Sequence, residues 1–283
     1  MDLATIVAAS DESEEGRRAA LLGADLASRA GGRLVVLRVV SPPPAMRSEP
    51  EVGDDQGPAL QQLERWIGPT LADRWPGLVT EYAIRPGLPR VEIARFAVDR
   101  GADVVVLGRK PRTQRNRLLL GDTADSVVRR SELPCLLTPV PGRELTCVVA
   151  AVDGTERGFR VYREAAAFAV ALRVQLRTVM VERAWPGEPA PLAAENPSVR
   201  RQRLRARIEE DRSTSNLLVA GCPPLNVRHG DPAAEILAEL DEHDAGVLVV
   251  GYHRGGPAGV VESFSVARHL MHVAPCAVLT IPL

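Results

Sequence analysis

The chain states one pattern twice. Around Gly87 it reads Gly-Leu-Pro-Arg-Val-Glu-Ile-Ala-Arg-Phe-Ala, followed by Ala102-Asp103-Val104-Val105-Val106-Leu107-Gly108. Around Gly230 it reads Gly-Asp-Pro-Ala-Ala-Glu-Ile-Leu-Ala-Glu-Leu, followed by Ala245-Gly246-Val247-Leu248-Val249-Val250-Gly251. Both glycine pairs are offset by 143 positions (230 − 87 and 251 − 108). Asp11 and Asp153, each after an apolar run, are offset by 142 (153 − 11), and Pro134-Cys135 and Pro275-Cys276 by 141 (275 − 134). A period this long is not that of a solenoid unit; it is the length of a whole domain. The 283 residues therefore divide into two like halves, 1–141 and 142–283, and each half can be read against the other.

Each half has the same order of elements. The first opens with the apolar run Leu3 to Ala9, and Ser10-Asp11-Glu12-Ser13 then starts a helix whose Ala19, Leu22, Leu26 and Ala27 fall at helical spacing. Gly31-Gly32 end that helix. Leu34 to Val40 is an aliphatic run interrupted only by Arg38, as in a strand buried on both faces. Residues 41 to 57 read as a loop and Leu60 to Arg74 as a helix. Val79 to Ile84 is a strand, Pro89 to Asp99 a helix with proline in its first turn, and Asp103 to Leu107 a strand. Thr123 to Arg130 is a helix and Cys135 to Thr138 the last strand. In the second half the strands are expected at 148–152, 176–181, 225–228, 247–250 and 277–281. Its helices are expected at 159–172, 199–212, 232–242 and 266–272, with a Pro-rich loop over 184–198. Strand and helix alternating at these lengths define an α/β fold: two tandem, open, mostly parallel five-stranded sheets flanked by helices. Ligands of such sheets lie beyond the carboxyl ends of the strands, at the switch point.

Composition excludes several classes. Thirty-five basic against 36 acidic side chains leave no global field that draws nucleic acid or an anionic membrane. Aromatics are 4% of the chain and no nucleic-acid recognition motif occurs. No apolar stretch approaches a membrane span, and Met1-Asp2-Leu3 lacks the basic start of a signal peptide. Cys135, Cys147, Cys222 and Cys276 form no C-x-x-C pair. Cys135 and Cys276 open matching strands, where a small buried residue is expected. Cytoplasmic residence is the expectation that follows.

The chemistry-bearing positions gather at the strand ends. A strand ending in glycine, then a loop and a helix N-terminus, is suited to phosphate, because bare backbone amides and the helix dipole favour an anion. The order and spacing here resemble the universal stress protein family, whose nucleotide-binding members carry G-x2-G-x9-G-[ST]. The resemblance covers both halves almost end to end. It includes Asp153-Gly154-Thr155 after the first strand of the second half, Gly-x-Pro opening the helix before the fourth strand, and Ala274-Pro275-Cys276 before the fifth. It implies a Rossmann-like fold of the adenine-nucleotide alpha hydrolase type, and ATP, with Mg, as the cofactor to test. It also implies fifth strands that pair across domains or subunits, so that the chain is an internal pseudo-dimer or forms a homodimer.

Carried over by residue, the resemblance assigns Asp11 and Val39 to the base in the first half and Asp153 and Val181 in the second. Helix capping explains both aspartates without a ligand. On the phosphate side Gly108 and Gly121 match, Pro111 replaces the second glycine, and Asp122 replaces the Ser/Thr with Thr123 one step on. In the second half Gly251 and Ser265 match, while Arg254 and Phe264 replace glycines; Gly255, Gly256 and Gly259 lie nearby. Proline has no N–H to donate, a carboxylate repels phosphate, and Arg254 holds one through its planar fork. The expectation is a degenerate site in each half.

The remaining signals have plainer readings. Arg109, Lys110, Arg112, Arg115 and Arg117 read as a solvated loop, or as a patch for an anion or acidic partner. Arg200, Arg201, Arg203, Arg205 and Arg207 spread round a helix and read as solvated. His269 and His272 lack a third ligand, so no metal site is expected. Three functions stand open: a nucleotide-sensing regulatory module of the stress response, a ligand-free platform for a protein partner, and a weak nucleotide hydrolase. No base or metal cluster beyond Asp11, Asp122 and Asp153 supports the third, so the chain is not expected to be an enzyme.

Overall fold

A computed structural model describes residues 1–41, 56–109, 122–139, 143–182, 196–214, 225–253 and 266–283, without the side chains of 122 and 212–214. The chain folds as two compact units, Asp2–Val140 and Pro141–Leu283 with Met1. The first unit runs β1 (Thr5–Ala9), α1 (Glu14–Ala30), β2 (Arg33–Val40), α2 (Gly57–Arg74), β3 (Thr80–Pro86), α3 (Pro89–Asp99), β4 (Val104–Leu107), α4 (Asp122–Arg130) and β5 (Cys135–Leu137). Its strands lie in the order β3-β2-β1-β4-β5. Every pairing among them is parallel, with Ile6 opposite both Leu34 and Val104, and Val105 opposite Cys135.

The second unit repeats the plan with β6 (Cys147–Val152), α5 (Glu156–Leu172), β7 (Gln175–Glu182), α6 (Pro197–Thr214), β8 (Asn226–His229), α7 (Pro232–Glu242), β9 (Val247–Tyr252), α8 (Val266–Val273) and β10 (Ala277–Pro282). Its order is β10-β9-β6-β7-β8, again all parallel. In each unit the first strand sits between the second and the fourth. The chain leaves it in opposite directions, and this makes the switch point at its carboxyl end.

The strands are aliphatic without alternation because both faces are covered. Ile6, Val7, Ala8, Leu34 to Leu37 and Val104 to Val106 have no exposed surface, and neither do Val149, Leu248 and Val249. Helix α1 meets the sheet through Ala19, Ala20, Gly23, Ala24 and Ala27, small side chains that let a helix lie close to the strands. Four helices begin earlier than expected, α5 at Glu156 by three residues and α4 at Asp122 by one among them. Helix α2 starts at Gly57, and α6 starts at Pro197, inside the segment expected as a loop. The cause at α6 is local. Asn196 accepts Ser198 N–H through its side chain at 2.9 Å and Arg200 N–H through its carbonyl at 3.1 Å, with Pro197 in the first turn, where a missing N–H costs nothing. Among the described residues no helix is long and apolar enough to cross a membrane.

Cys135, Cys147 and Cys276 are buried and in no disulfide, and burial pushes the Cys135 thiol up to about 12. Cys222 lies outside the described residues.

A buried carboxylate organises the β8 side of the second unit. Glu239 of α7 has no exposed surface. It accepts from Arg177 Nε of β7 at 3.1 Å, Asn226 Nδ2 of β8 at 2.7 Å and Arg228 Nη1 of β8 at 3.0 Å. Arg228 also donates to Glu235 at 2.8 Å and to Glu242 at 2.9 and 3.0 Å. These three glutamates stand one above another on α7, so one guanidinium ties the helix to the strand. Glu239, Glu242 and His243 are also the one grouping of metal-ligand type among the described residues, and arginines engage both its carboxylates. Glu239→Ala leaves two guanidinium groups short of a partner in a half-buried setting and is expected to cost the second unit about 3 kcal/mol, read by urea denaturation. Glu242→Ala, at the exposed end, moves the midpoint far less.

Candidate functional site

The same short turn closes the first strand of each half. In the first, Asp11 Oδ1 accepts the backbone N–H of Ser13 at 3.2 Å and also its hydroxyl. Ser13 Oγ in turn accepts Gly16 N–H at 3.1 Å and caps α1. In the second, Asp153 Oδ1 accepts Thr155 N–H at 3.0 Å and Thr155 Oγ1–H at 2.7 Å, and Thr155 Oγ1 accepts Gly158 N–H at 3.2 Å. The capping residues are thus Ser13 and Thr155. Asp11 and Asp153 do not cap the helices, as the plainer reading had it; each orients the hydroxyl that does. Among the described residues every hydrogen bond of these carboxylates ends on Oδ1, and each Oδ2 stays available.

The turn needs a glycine at its far end. A Cβ on Gly16 would stand 2.7 Å from Ser10 Oγ and 3.0 Å from Asp11 Oδ1; a Cβ on Gly158 would overlap Asp153 Oδ1. These two glycines escape the sequence reading, although a signal is present. Asp-x-Ser-x-x-Gly in one half and Asp-x-Thr-x-x-Gly in the other recur at the offset of the aspartates.

Each turn forms the wall of a cleft at the carboxyl ends of its strands. The first, about 310 Å³, brings together Asp11, Val39, Gly108 and Thr123, with Glu15, Leu107 and Ile93. The second, about 610 Å³, brings together Asp153, Val181 and Gly251, with Glu182, Arg200, His229, His253 and Val266. Gly121, Arg254 and Ser265 lie outside the described residues, as do Lys110, Pro111, Phe264 and the glycines 255, 256 and 259. Gly108 and Gly251 also have a packing reason to be glycine. A Cβ on Gly108 would press on the Glu15 carbonyl at 2.6 Å, and one on Gly251 would meet Leu283 Cδ1 at 2.5 Å and Val161 Cγ2 at 3.0 Å.

The two clefts differ in charge for a reason that begins with one residue. Glu12 follows Asp11 and sits at φ +62°, a left-handed conformation that side chains seldom adopt. Its carboxylate is pinned by Arg38 and by Gln62 Nε2, the latter at 2.7 Å. The matching residue, Gly154, adopts φ +78° without a side chain. The vacated space is filled from α6: a Cβ on Gly154 would lie 2.5 Å from Arg200 Cγ and 3.0 Å from its Cδ. So the Arg200 stem rests on the Asp153 turn and carries a cation to the second cleft. Acids line the first cleft through Asp11 and Glu15, with no basic residue among its described lining.

Of the α6 arginines, Arg203 and Arg205 are exposed, as expected of a solvated helix, while Arg200, Arg201 and Arg207 are half-buried. Leu204 and Ile208, 1% and 3% exposed, mark the helix's inner stripe, and Arg200 lies four residues before Leu204 on that stripe. Arg201 reaches Glu182 at 3.4 Å. Arg207 pairs with Glu156 and stands 4.0 Å over the Phe159 ring, and its hydrogen bond holds the Glu156 carboxyl below its ordinary range. Arg109, expected in the solvated loop, is 5% exposed, and its N–H donates to Thr138 Oγ1 at 3.0 Å.

This is an α/β fold of Rossmann-like type with paired strand-end clefts, and comparison with known proteins agrees. The profile of the universal stress protein family matches residues 3–139 and again 146–282, and the chain belongs to that family as a tandem member. A universal stress protein of Mycobacterium tuberculosis is 28% identical over 189 residues, 64% of this chain and 64% of the relative. One of Methanocaldococcus jannaschii is 32% identical over 74 residues, 26% of this chain and 43% of the relative. The chain thus spans less than two thirds of the length of either relative. The crystal structure of a universal stress protein from Archaeoglobus fulgidus superimposes with a TM-score of 0.70 at 16% identity, over 100% of this chain and 99% of that one, a likeness of fold.

Gly158→Ala forces Asp153 out of its turn and loosens the start of α5. The expected cost is about 1–3 kcal/mol, measured by denaturant unfolding. Gly16→Ala is expected to act the same way in the first half.

Proposed function

We propose that the chain is a regulatory module of the stress response that senses a nucleotide through the cleft of its second half. The observation that carries this reading is the company Asp153 keeps. A cleft of about 610 Å³ joins a carboxylate with a free oxygen, the aliphatic Val181, the Arg200 guanidinium and the His253 imidazole. A nucleotide needs such a combination: an acceptor for base N–H groups, apolar surface for the ring, and positive charge for phosphate. In this reading Asp153 Oδ2 accepts the exocyclic amine of the base. Val181 packs on the ring, Gly251 gives the phosphates room, and Arg254 and Ser265 hold them with Mg. The family resemblance makes adenine the first base to test. The first cleft, lined by Asp11 and Glu15, is the weaker site for an anion, and Gly108, Gly121 and Thr123 would serve phosphate there only with a cation present.

A ligand-free platform for a protein partner is the second reading, favoured by the acidic character of the first cleft. Hydrolysis is not proposed. Cytoplasmic residence and pairing of the two halves through their fifth strands belong to the same proposal.

Calorimetric titration of the full chain with ATP, with and without magnesium, tests the reading. Saturable micromolar binding is expected, weakened about tenfold or more by Asp153→Ala through loss of a hydrogen bond to a charged acceptor and kept in Asp11→Ala. No heat at millimolar nucleotide, with none carried through purification, overturns it in favour of the platform. Steady phosphate release abolished by Asp153→Ala would instead identify a hydrolase.

A further inference from the structure

We propose that Arg157 is the residue through which the second cleft reads the number of phosphates on its ligand, so that a nucleoside triphosphate is held in preference to a monophosphate. This rests on the nucleotide reading of that cleft and goes beyond it, because it places a phosphate contact on α5, outside the glycine loop to which the resemblance points. The observation is a contact between two donors with no acid between them. Arg157 Nη1 stands 3.3 Å from His253 Nδ1, and His253 lines the second cleft. A guanidinium has N–H groups and no acceptor, so in this contact Nδ1 accepts and the ring proton sits on Nε2. What the pair has left to offer is donors alone: His253 Nε2–H and the remaining guanidinium N–H groups. Arg157 makes no ion pair among the described residues, whereas Arg163 of the same helix and Arg201 and Arg207 of α6 each reach a carboxylate.

The place of Arg157 on its helix points the same way. Helix α5 begins at Glu156 behind its Thr155 cap, so Arg157 is the second residue of the first turn. Backbone N–H groups and the positive end of the helix dipole gather there, and an acid suits such a position. The first half follows that rule. Counted from the caps Ser13 and Thr155, Glu15 stands where Arg157 does, and Glu15 lines the first cleft. The register that puts an acid in one cleft thus puts a guanidinium beside the other. A cation at a helix start, touching an imidazole and lacking an acid, is stabilised by an anionic ligand.

The sheet order decides which end of the ligand it meets. Asp153 and Val181, which take the base in this reading, stand at the ends of β6 and β7, and His253 follows β9 on the other side of β6. A nucleotide laid across the switch point with its base over β6 and β7 carries its phosphates toward β9, and so toward Arg157 and His253. A monophosphate brings one anionic group close to the base; a triphosphate brings three, and the outer ones reach farther. Arg157 is exposed, so its guanidinium meets an outer phosphate through charge-assisted hydrogen bonds without first being buried.

The test is calorimetric titration of the full chain with ATP and with AMP, in magnesium, for the wild type, Arg157→Gln and Arg205→Gln. Glutamine keeps an unbranched stem and removes the charge; Arg205, exposed on α6, controls for net charge alone. The wild type is expected to bind ATP about tenfold or more tighter than AMP, the worth of one hydrogen bond between charged groups. Arg157→Gln is expected to lose most of that ratio, through ATP, while its AMP affinity changes less than about threefold because the removed charge is distant and screened. Arg205→Gln is expected to keep the ratio. Thermal unfolding without nucleotide gives a second readout: taking a cation from a helix start leaves the midpoint of Arg157→Gln equal to that of the wild type or above it, whereas loss of a structural residue lowers it. A wild-type ratio near one, a ratio that survives in Arg157→Gln or falls as far in Arg205→Gln, or a lowered midpoint in Arg157→Gln, overturns the assignment and leaves the nucleotide reading standing. Binding of neither ATP nor AMP overturns both.

Discussion

One carboxylate oxygen sets the mouth of each cleft. Asp11 Oδ1 and Asp153 Oδ1 each hold a hydroxyl, and each hydroxyl holds the first turn of the following helix. The arrangement joins the end of the central strand to the start of the helix that covers it, with an all-parallel sheet behind. It spends only one oxygen of each carboxylate. The same side chain therefore belongs to the scaffold through one atom and stands ready for a ligand through the other. A glycine five residues on makes the approach feasible, and the two halves share this device although their clefts have diverged.

Divergence starts at the residue after the aspartate. The backbone there is left-handed in both halves. Glycine adopts it freely and leaves room above; glutamate adopts it at a conformational cost of the order of 1 kcal/mol and brings a carboxylate that Arg38 and Gln62 secure. From this single difference one cleft gains an arginine that the other lacks. A duplicated domain can thus keep its fold in both copies while only one copy carries an arginine in the described lining of its cleft.

Most of the architecture is legible in the sequence because periodicity and repetition reinforce one another. Runs such as Leu34 to Leu37 and Val247 to Val250 announce strands covered on both faces, and the second copy of each motif removes ambiguity from the first. The aspartates, Gly108 and Gly251 follow from the order of strands and helices, Val39 and Val181 from the family resemblance, and all of them line the clefts. What stays hidden depends on side chains meeting across the fold. Arg200 looks like one basic residue among five until Leu204 and Ile208 reveal which face of α6 is turned inward. Glu239 is one acid among several on α7 until Arg177, Asn226 and Arg228 converge on it from two strands. The helix start at Pro197 passes for loop because Asn-Pro punctuates turns as well as opening helices. Gly16 and Gly158 go unnoticed because their demand is a contact with Asp and Ser or Thr, which no propensity scale records.

The Glu239 cluster has a consequence for the rim of its sheet. In its unit β8 is the outermost strand beyond β7, four residues long, and such a rim exposes backbone groups that a foreign strand can capture. Here two of its four side chains, Asn226 and Arg228, are fastened to the adjacent helix by charge and hydrogen bonds. A strand arriving at that rim would find short backbone and a ring of ionised groups instead of an apolar template. The same bonds that hold α7 in place thus also guard the margin of the sheet against unwanted partners.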